Sequence, residues 1–93
     1  MFGNFSGAGK VVSIVGAGSP GNMGQVMARR FAQAGAKVVV SGRRTEVLSE
    51  LAESIEGDWV SCDFCDRASI GHMVSEVQKR HGAIDVAINA TGW

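Results

Sequence analysis

The chain of 93 residues has no tyrosine, a single proline and two cysteines, and its nine Lys+Arg are balanced by nine Asp+Glu. The missing Tyr excludes every mechanism that needs a phenol of this chain as general acid or base. Two Cys do not make a disulfide framework, which points to a cytoplasmic setting. Zero formal net charge removes the electrostatic reason to expect nucleic acid or an anionic membrane as a partner. No apolar run approaches the roughly 18 residues needed to span a bilayer. Lys10 is the only charge in the first ten residues, so the basic start of a signal peptide is lacking as well. Glycine, by contrast, is abundant at 13 residues, twice the usual share of about 7%. These glycines have no triplet period, which excludes collagen. An apolar fraction of 45% with 19% charged residues excludes disorder, and the length allows one domain at most.

The apolar pattern changes period repeatedly, with Gly at the changes. Val11, Val12, Ile14 and Val15 read as a buried strand, followed by a Gly-rich turn over 16–24. Met23, Val26, Met27, Phe31 and Ala34 recur at helical spacing, with Gly35 as the stop. Val38, Val39 and Val40 make a second strand. Val47, Leu48, Leu51, Ala52 and Ile55 fill one face of a second helix, for which Thr45 is the expected N-cap and Gly57 the stop. Residues 59–62 form a short third strand. Asp66 is placed to cap a third helix with Ile70, Met73, Val74 and Val77 on one face and Gly82 at its end, and residues 84–88 are the last strand. The order is βαβαβαβ, and continuous apolar strands joined by amphipathic helices predict a Rossmann-like α/β fold. This is a doubly wound parallel sheet with strand order 3-2-1-4. Residues 1–9 read as a tail and residues 10–93 as a dinucleotide-binding half-domain. The last strand is expected at an open edge, where such sheets normally continue. A truncated domain that self-associates through this edge, or a homo-oligomer when complete, is therefore expected.

Gly16-Ala17-Gly18-Ser19-Pro20-Gly21 is a G-x-G-x-x-G, and Gly24 adds a fourth glycine one turn on. It follows a buried strand and precedes a helix, as a pyrophosphate site requires. Glycine permits positive φ and close backbone approach, and the helix start offers free N–H groups and the positive end of its dipole. Pro20 fits as the first helical residue behind Ser19, while Asn22 could equally cap a helix starting at Met23. The second is preferred because it turns Gly24 toward the ligand.

An NAD site places an acidic residue at the end of the second strand. Here the stretch reads Val40-Ser41-Gly42-Arg43-Arg44-Thr45, with no carboxylate before Glu46. Arg43 and Arg44 suit a 2′-phosphate through their planar fork of donors, and the hydroxyls of Ser41 and Thr45 can add hydrogen bonds. NADP is therefore expected over NAD. The same arginines disfavour an S-adenosylmethionine methyltransferase, which needs an acidic residue there.

From residue 10 to residue 92 the chain resembles the N-terminal part of a short-chain dehydrogenase/reductase. The resemblance rests on the Gly loop, the second strand, Asp63 after the third strand, and Ile84-Asp85-Val86-Ala87-Ile88-Asn89-Ala90-Thr91-Gly92. It implies that Asp63 bonds the adenine amino group, that Phe64 lies along the ring, and that Asn89, Ala90 and Gly92 border the cofactor and steady the sheet. It also implies that Arg43 is the basic residue of NADP-preferring members. Gly16, Gly18, Ser19, Gly21, Asn22, Met23 and Gly24 then form the pyrophosphate turn. Two departures stand out. Val15 replaces the family's Thr, with two extra residues between Gly16 and Gly24, and Asn-Ala-Thr-Gly replaces Asn-Asn-Ala-Gly. The family's catalytic Ser and Tyr-x-x-x-Lys lie beyond the aligned segment, so no catalytic residue is assigned.

Cys62-Asp63-Phe64-Cys65 is a C-x-x-C, but His72 and His81, nine residues apart, fall about a quarter turn short of sharing a helix face. No metal is expected. Two functions remain in view: the NADP(H)-binding portion of an oxidoreductase, and a non-catalytic, stand-alone nucleotide-binding module.

Overall fold

The computed structural model describes residues 8–17 and 23–90. Seven elements follow one another: β1 (Val11–Val15), α1 (Met23–Gln33), β2 (Lys37–Gly42), α2 (Thr45–Ser54), β3 (Asp58–Ser61), α3 (Arg67–His81) and β4 (Val86–Asn89). The four strands form one parallel sheet in the order β3-β2-β1-β4, as expected from the sequence. Ile14 sits between Val40 of β2 and Ile88 of β4. The chain winds one way from β1 to β3 and then crosses back to β4. The gap between the β1 and β4 carboxyl ends is therefore the switch point where open α/β sheets hold ligands.

Strand alternation sends side chains to both faces, and both are covered. Val12, Ile14, Val38 and Val40 pack against Ala28 and Phe31 of α1 and Leu48, Leu51 and Ala52 of α2. Val11, Val39 and Val60 pack on the other face against Met73 and Val77 of α3. This two-sided burial is why β1 and β2 read as unbroken apolar runs. β4 is only half-buried at alternate positions. Among the described residues no helix is long and apolar enough to cross a membrane.

Several local expectations need correction. The buried stripe of α1 is Gly24, Gln25, Ala28 and Phe31, whereas Met23 and Val26 are 66% and 41% exposed. At Gly24 the first turn of α1 lies close against the backbone of Gly16 and Ala17, where a Cβ would be crowded. Arg44, not Thr45, is the N-cap of α2, and no side chain caps that helix. The left-handed residue after α2 is Glu56 (φ 54°) rather than Gly57. Gly57 is needed for a different reason: a Cβ there would stand 2.5 Å from the Val38 carbonyl oxygen. β3 starts one residue early, at Asp58. β4 starts later than expected, at Val86, just after Asp85, whose N–H donates to the Val11 carbonyl (2.9 Å) and whose carboxylate accepts from the Val11 N–H (2.8 Å). The ends of α3 are as read from the sequence. Asp66 accepts from the Ala68 N–H, and Gly82 closes the helix in the left-handed conformation.

Candidate cofactor site

The carboxyl ends of the four strands gather the residues singled out from the sequence. After β1, Gly16 adopts φ 98° and donates its N–H to the Ser41 carbonyl (2.9 Å), which turns the chain off the strand. Gly18, Ser19, Gly21 and Asn22 lie outside the described residues, and α1 begins at Met23. A Cβ on Gly24 would meet the Gly16 carbonyl oxygen at 3.0 Å and the Ala17 Cα at 3.1 Å. Gln25 adds a tie, donating from Nε2 to the Ala17 carbonyl at 3.2 Å. Together they draw the start of α1 onto the loop. No acidic side chain stands in the first turn of α1 to occupy the positive end of its dipole.

After β2, Ser41 is fully buried and its Oγ has no hydrogen-bond partner among the described residues. Such an atom is uncommon in a folded protein and marks a place where a ligand or water completes the bonding. Arg43 and Arg44 are exposed at the start of α2 and take part in no salt bridge among the described residues. The Arg43 guanidinium carbon lies over the Phe64 ring, 5.7 Å from its centroid.

After β3, the Cys62 N–H donates to the Gly42 carbonyl (2.8 Å), extending the β2–β3 ladder by one step. A tight turn follows. The Asp63 N–H donates to Ser69 Oγ (2.9 Å), and Asp63 Oδ1 accepts from the Cys65 N–H (3.0 Å). Oδ2 of Asp63 has no partner among the described residues, so the carboxylate is fixed in place with one oxygen available. Burial pushes the Cys62 thiol above its ordinary value, while Cys65 is exposed, so the two halves of the C-x-x-C are chemically unlike. After β4, the Ala90 N–H donates to the Val15 carbonyl (2.8 Å), and Asn89 stands opposite Val15 at the switch point. Thr91 and Gly92 lie outside the described residues.

Beside these ends, on the α3 face, an open groove of about 390 Å³ runs along β1 and β4. Val15, Phe64, Ile70, Met73, Ile88 and Asn89 are among its lining residues. His72 and His81 belong elsewhere, and among the described residues no group of three potential metal ligands comes together. The sequence reading missed Gln25, which looks like a gap in the apolar stripe of α1. It also missed Ser69, which anchors the Asp63 turn, and the Arg43–Phe64 contact. A polar residue on a buried helical stripe was the available signal for Gln25. The other two have no local signal.

The site fits a nicotinamide dinucleotide on three observations. A Cβ on Gly24 would crowd the close approach of α1 to the loop backbone, the buried hydroxyl of Ser41 lacks a partner among the described residues, and Arg43 and Arg44 stand exposed at the end of β2 without a salt bridge among the described residues.

Residues 16–93 match the model of the family described as enoyl-(acyl carrier protein) reductase. The chain is 37% identical over 86 residues to meso-2,3-butanediol dehydrogenase of Serratia marcescens, covering 89% of this chain and 34% of that one. Among solved structures, 3-ketoacyl-(acyl-carrier-protein) reductase from Brucella melitensis complexed with NADH superposes with TM-score 0.81 at 34% identity, covering 88% of this chain and 34% of that one. An actinorhodin polyketide ketoreductase with NADPH gives TM-score 0.79 at 30% identity, over 86% of this chain and 32% of the other. The chain spans about a third of the length of the curated relatives it matches. On the fold, the glycine loop and these likenesses together, the chain belongs to the short-chain dehydrogenase/reductase family, whose N-terminal portion it matches.

Proposed function

We propose that residues 10–93 bind a nicotinamide dinucleotide, NADP(H) in preference to NAD(H), as the cofactor-holding part of a cytoplasmic oxidoreductase. The observation that carries the preference is the end of β2, where Arg43 and Arg44 are exposed, make no salt bridge among the described residues, and no carboxylate intervenes before Glu46. The structures with NADPH and with NADH among the neighbours support a dinucleotide of this class.

Each residue has a role of its own. Gly16 and Gly24 bring backbone close to the pyrophosphate, with Met23 at the start of α1 beside them; Gly18, Ser19, Gly21 and Asn22, which lie outside the described residues, are assigned to the same group on the G-x-G-x-x-G sequence alone. Arg43 and Arg44 take the 2′-phosphate with charge-assisted hydrogen bonds. The available oxygen of Asp63 accepts from the adenine amino group, and Phe64 lies along the ring. Ser41 is too buried to reach a phosphate in solvent, so its hydroxyl serves the inner side of the site. Asn89 and Ala90 border the cofactor, where the Ala90 N–H ties β4 to β1, and Gly92, outside the described residues, is assigned the same role on the resemblance alone. When bound, the cofactor supplies the hydride that passes between nicotinamide and a carbonyl or hydroxyl carbon. With no Tyr in the chain, proton transfer to or from that substrate is not assigned to any residue here.

Calorimetry tests the reading directly. NADPH is expected to bind more tightly than NADH, and Arg43→Ala to cut the difference about tenfold, the worth of one charge-assisted phosphate contact. Equal affinities, or an NADH preference, would overturn it.

A further inference from the structure

The contact between Arg43 and Phe64 joins two loops that the sequence reading treated separately. Gly42 of β2 pairs with Ser61 of β3, and the Cys62 N–H to Gly42 carbonyl bond locks the strand ends one step further. Arg43 leaves this locked point on one side and Phe64 on the other, and the guanidinium lies over the ring at 5.7 Å. Arg43 has no carboxylate partner among the described residues, and it sits at the start of α2, where the helix dipole disfavours a cation. The group it does meet is the aromatic face of Phe64. Phe64 is itself well supported. It is half-buried beside Ile70 and Met73, and the turn at its base is pinned by Ser69 and by the Asp63 carboxylate.

We infer that Phe64 is a positioning residue for cofactor specificity: its ring holds the Arg43 guanidinium across the β2 and β3 ends, ready for a 2′-phosphate. This rests on the NADP(H) reading above and adds a second determinant to it. A long Arg side chain loses much rotamer freedom when it binds, and a platform already limiting that freedom moves part of the cost into folding. The benefit falls on the phosphorylated dinucleotide, because Arg43 has nothing to bond on the unphosphorylated one. Phe64 as mere lining of the adenine would favour both equally.

The experiment is a set of calorimetric titrations of the 93-residue chain with NADPH and with NADH, for the parent, Phe64→Leu, Phe64→Trp, Arg43→Ala and the Phe64→Leu/Arg43→Ala double variant. Melting curves establish that each is folded. Phe64→Leu is expected to weaken NADPH about two- to fivefold, the worth of an exposed cation–π contact, while NADH changes by less than half that factor. Phe64→Trp, which keeps the aromatic face, is expected to restore the preference. In the Arg43→Ala background the Leu substitution should leave the NADPH/NADH ratio unchanged. An equal loss for both dinucleotides, or the same loss with Arg43 absent, overturns the positioning role while leaving the NADP(H) reading intact. A parent chain without NADPH preference defeats both. Should Phe64→Leu not fold, the Trp variant and the Arg43→Ala comparison still decide. A Trp variant with a collapsed NADPH/NADH ratio counts against the role.

Discussion

The two ends of the sheet differ in how completely their polar groups are satisfied. At the amino end, Asp58 is a hub. Its carboxylate accepts from the Trp59 N–H (2.8 Å) and from Arg80 (3.2 Å to Oδ2), with His81 Nε2 2.9 Å away. Arg80 in turn donates to Glu76 (3.0 Å) and to the Trp59 carbonyl (3.3 Å). Lys37 reaches the Glu56 carbonyl, and Asp85 closes on Val11. Lys79, Arg80 and His81 also complement the negative end of the α3 dipole. At the carboxyl end the situation is reversed. The start of α2 has no side-chain cap and carries cations, Ser41 Oγ lacks a partner among the described residues, and two guanidiniums have no counter-ion there. One end of the fold is closed by its own side chains, and the other is left with bonding capacity for a ligand. Departures from local good practice concentrate where function is expected.

This contrast can be broken from either side. The largest effect is expected from Gly57→Ala at the closed end. The new Cβ would stand 2.5 Å from the Val38 carbonyl, and the forced shift of the β2 backbone should cost about 2–3 kcal/mol in urea unfolding. Asp58→Ala comes next, at about 1–2 kcal/mol, because it leaves Arg80, His81 and the Trp59 N–H without their shared acceptor. Its pH dependence has a definite sign. Burial alone would raise the Asp58 carboxyl, but hydrogen bonds from His81, the Trp59 N–H and Arg80 outweigh it and hold the group below its ordinary 3.8. A carboxyl lowered on folding contributes stability above its unfolded pKa and loses it as pH falls through the folded one. The parent and Asp58→Ala melting temperatures should therefore differ at neutral pH and converge below about pH 4. A gap that persists in acid would mean the hub acts through packing instead of charge. The smallest change belongs to the open end. Ser41→Ala should leave stability within about 0.5 kcal/mol, or raise it, since no bond is lost, while weakening dinucleotide binding. A loss of stability above about 1 kcal/mol would show that the hydroxyl is already satisfied, and the contrast between the ends would shrink.

Much of this was legible locally. Asp66 and Gly82 mark the ends of α3 because capping chemistry depends on residues one or two apart. Gly16 and Gly24 were readable as a tight strand-to-helix turn, where Gly16 takes a positive φ and a Cβ on Gly24 would crowd the loop backbone. The facing of α1 was not legible. Met23 and Val26 satisfy helical spacing as well as Ala28 and Phe31 do, and the choice between them is made by the loop backbone against which the first turn packs. The capping of α2 failed for a related reason. Thr45 has the right chemistry, but the chain enters the helix one residue earlier, through Arg44.

The sequence alone determined the alternation of strands and helices and the strand order, because periodicity, glycine and right-handed crossovers act over short stretches or as general rules. Tertiary structure decided which side chains meet across the layers. Asp58 finds Arg80 and His81 more than twenty residues away, and Arg43 finds Phe64 across two strand ends. Those pairings depend on where parallel strands and a crossover helix bring their termini, and no spacing along the chain encodes that.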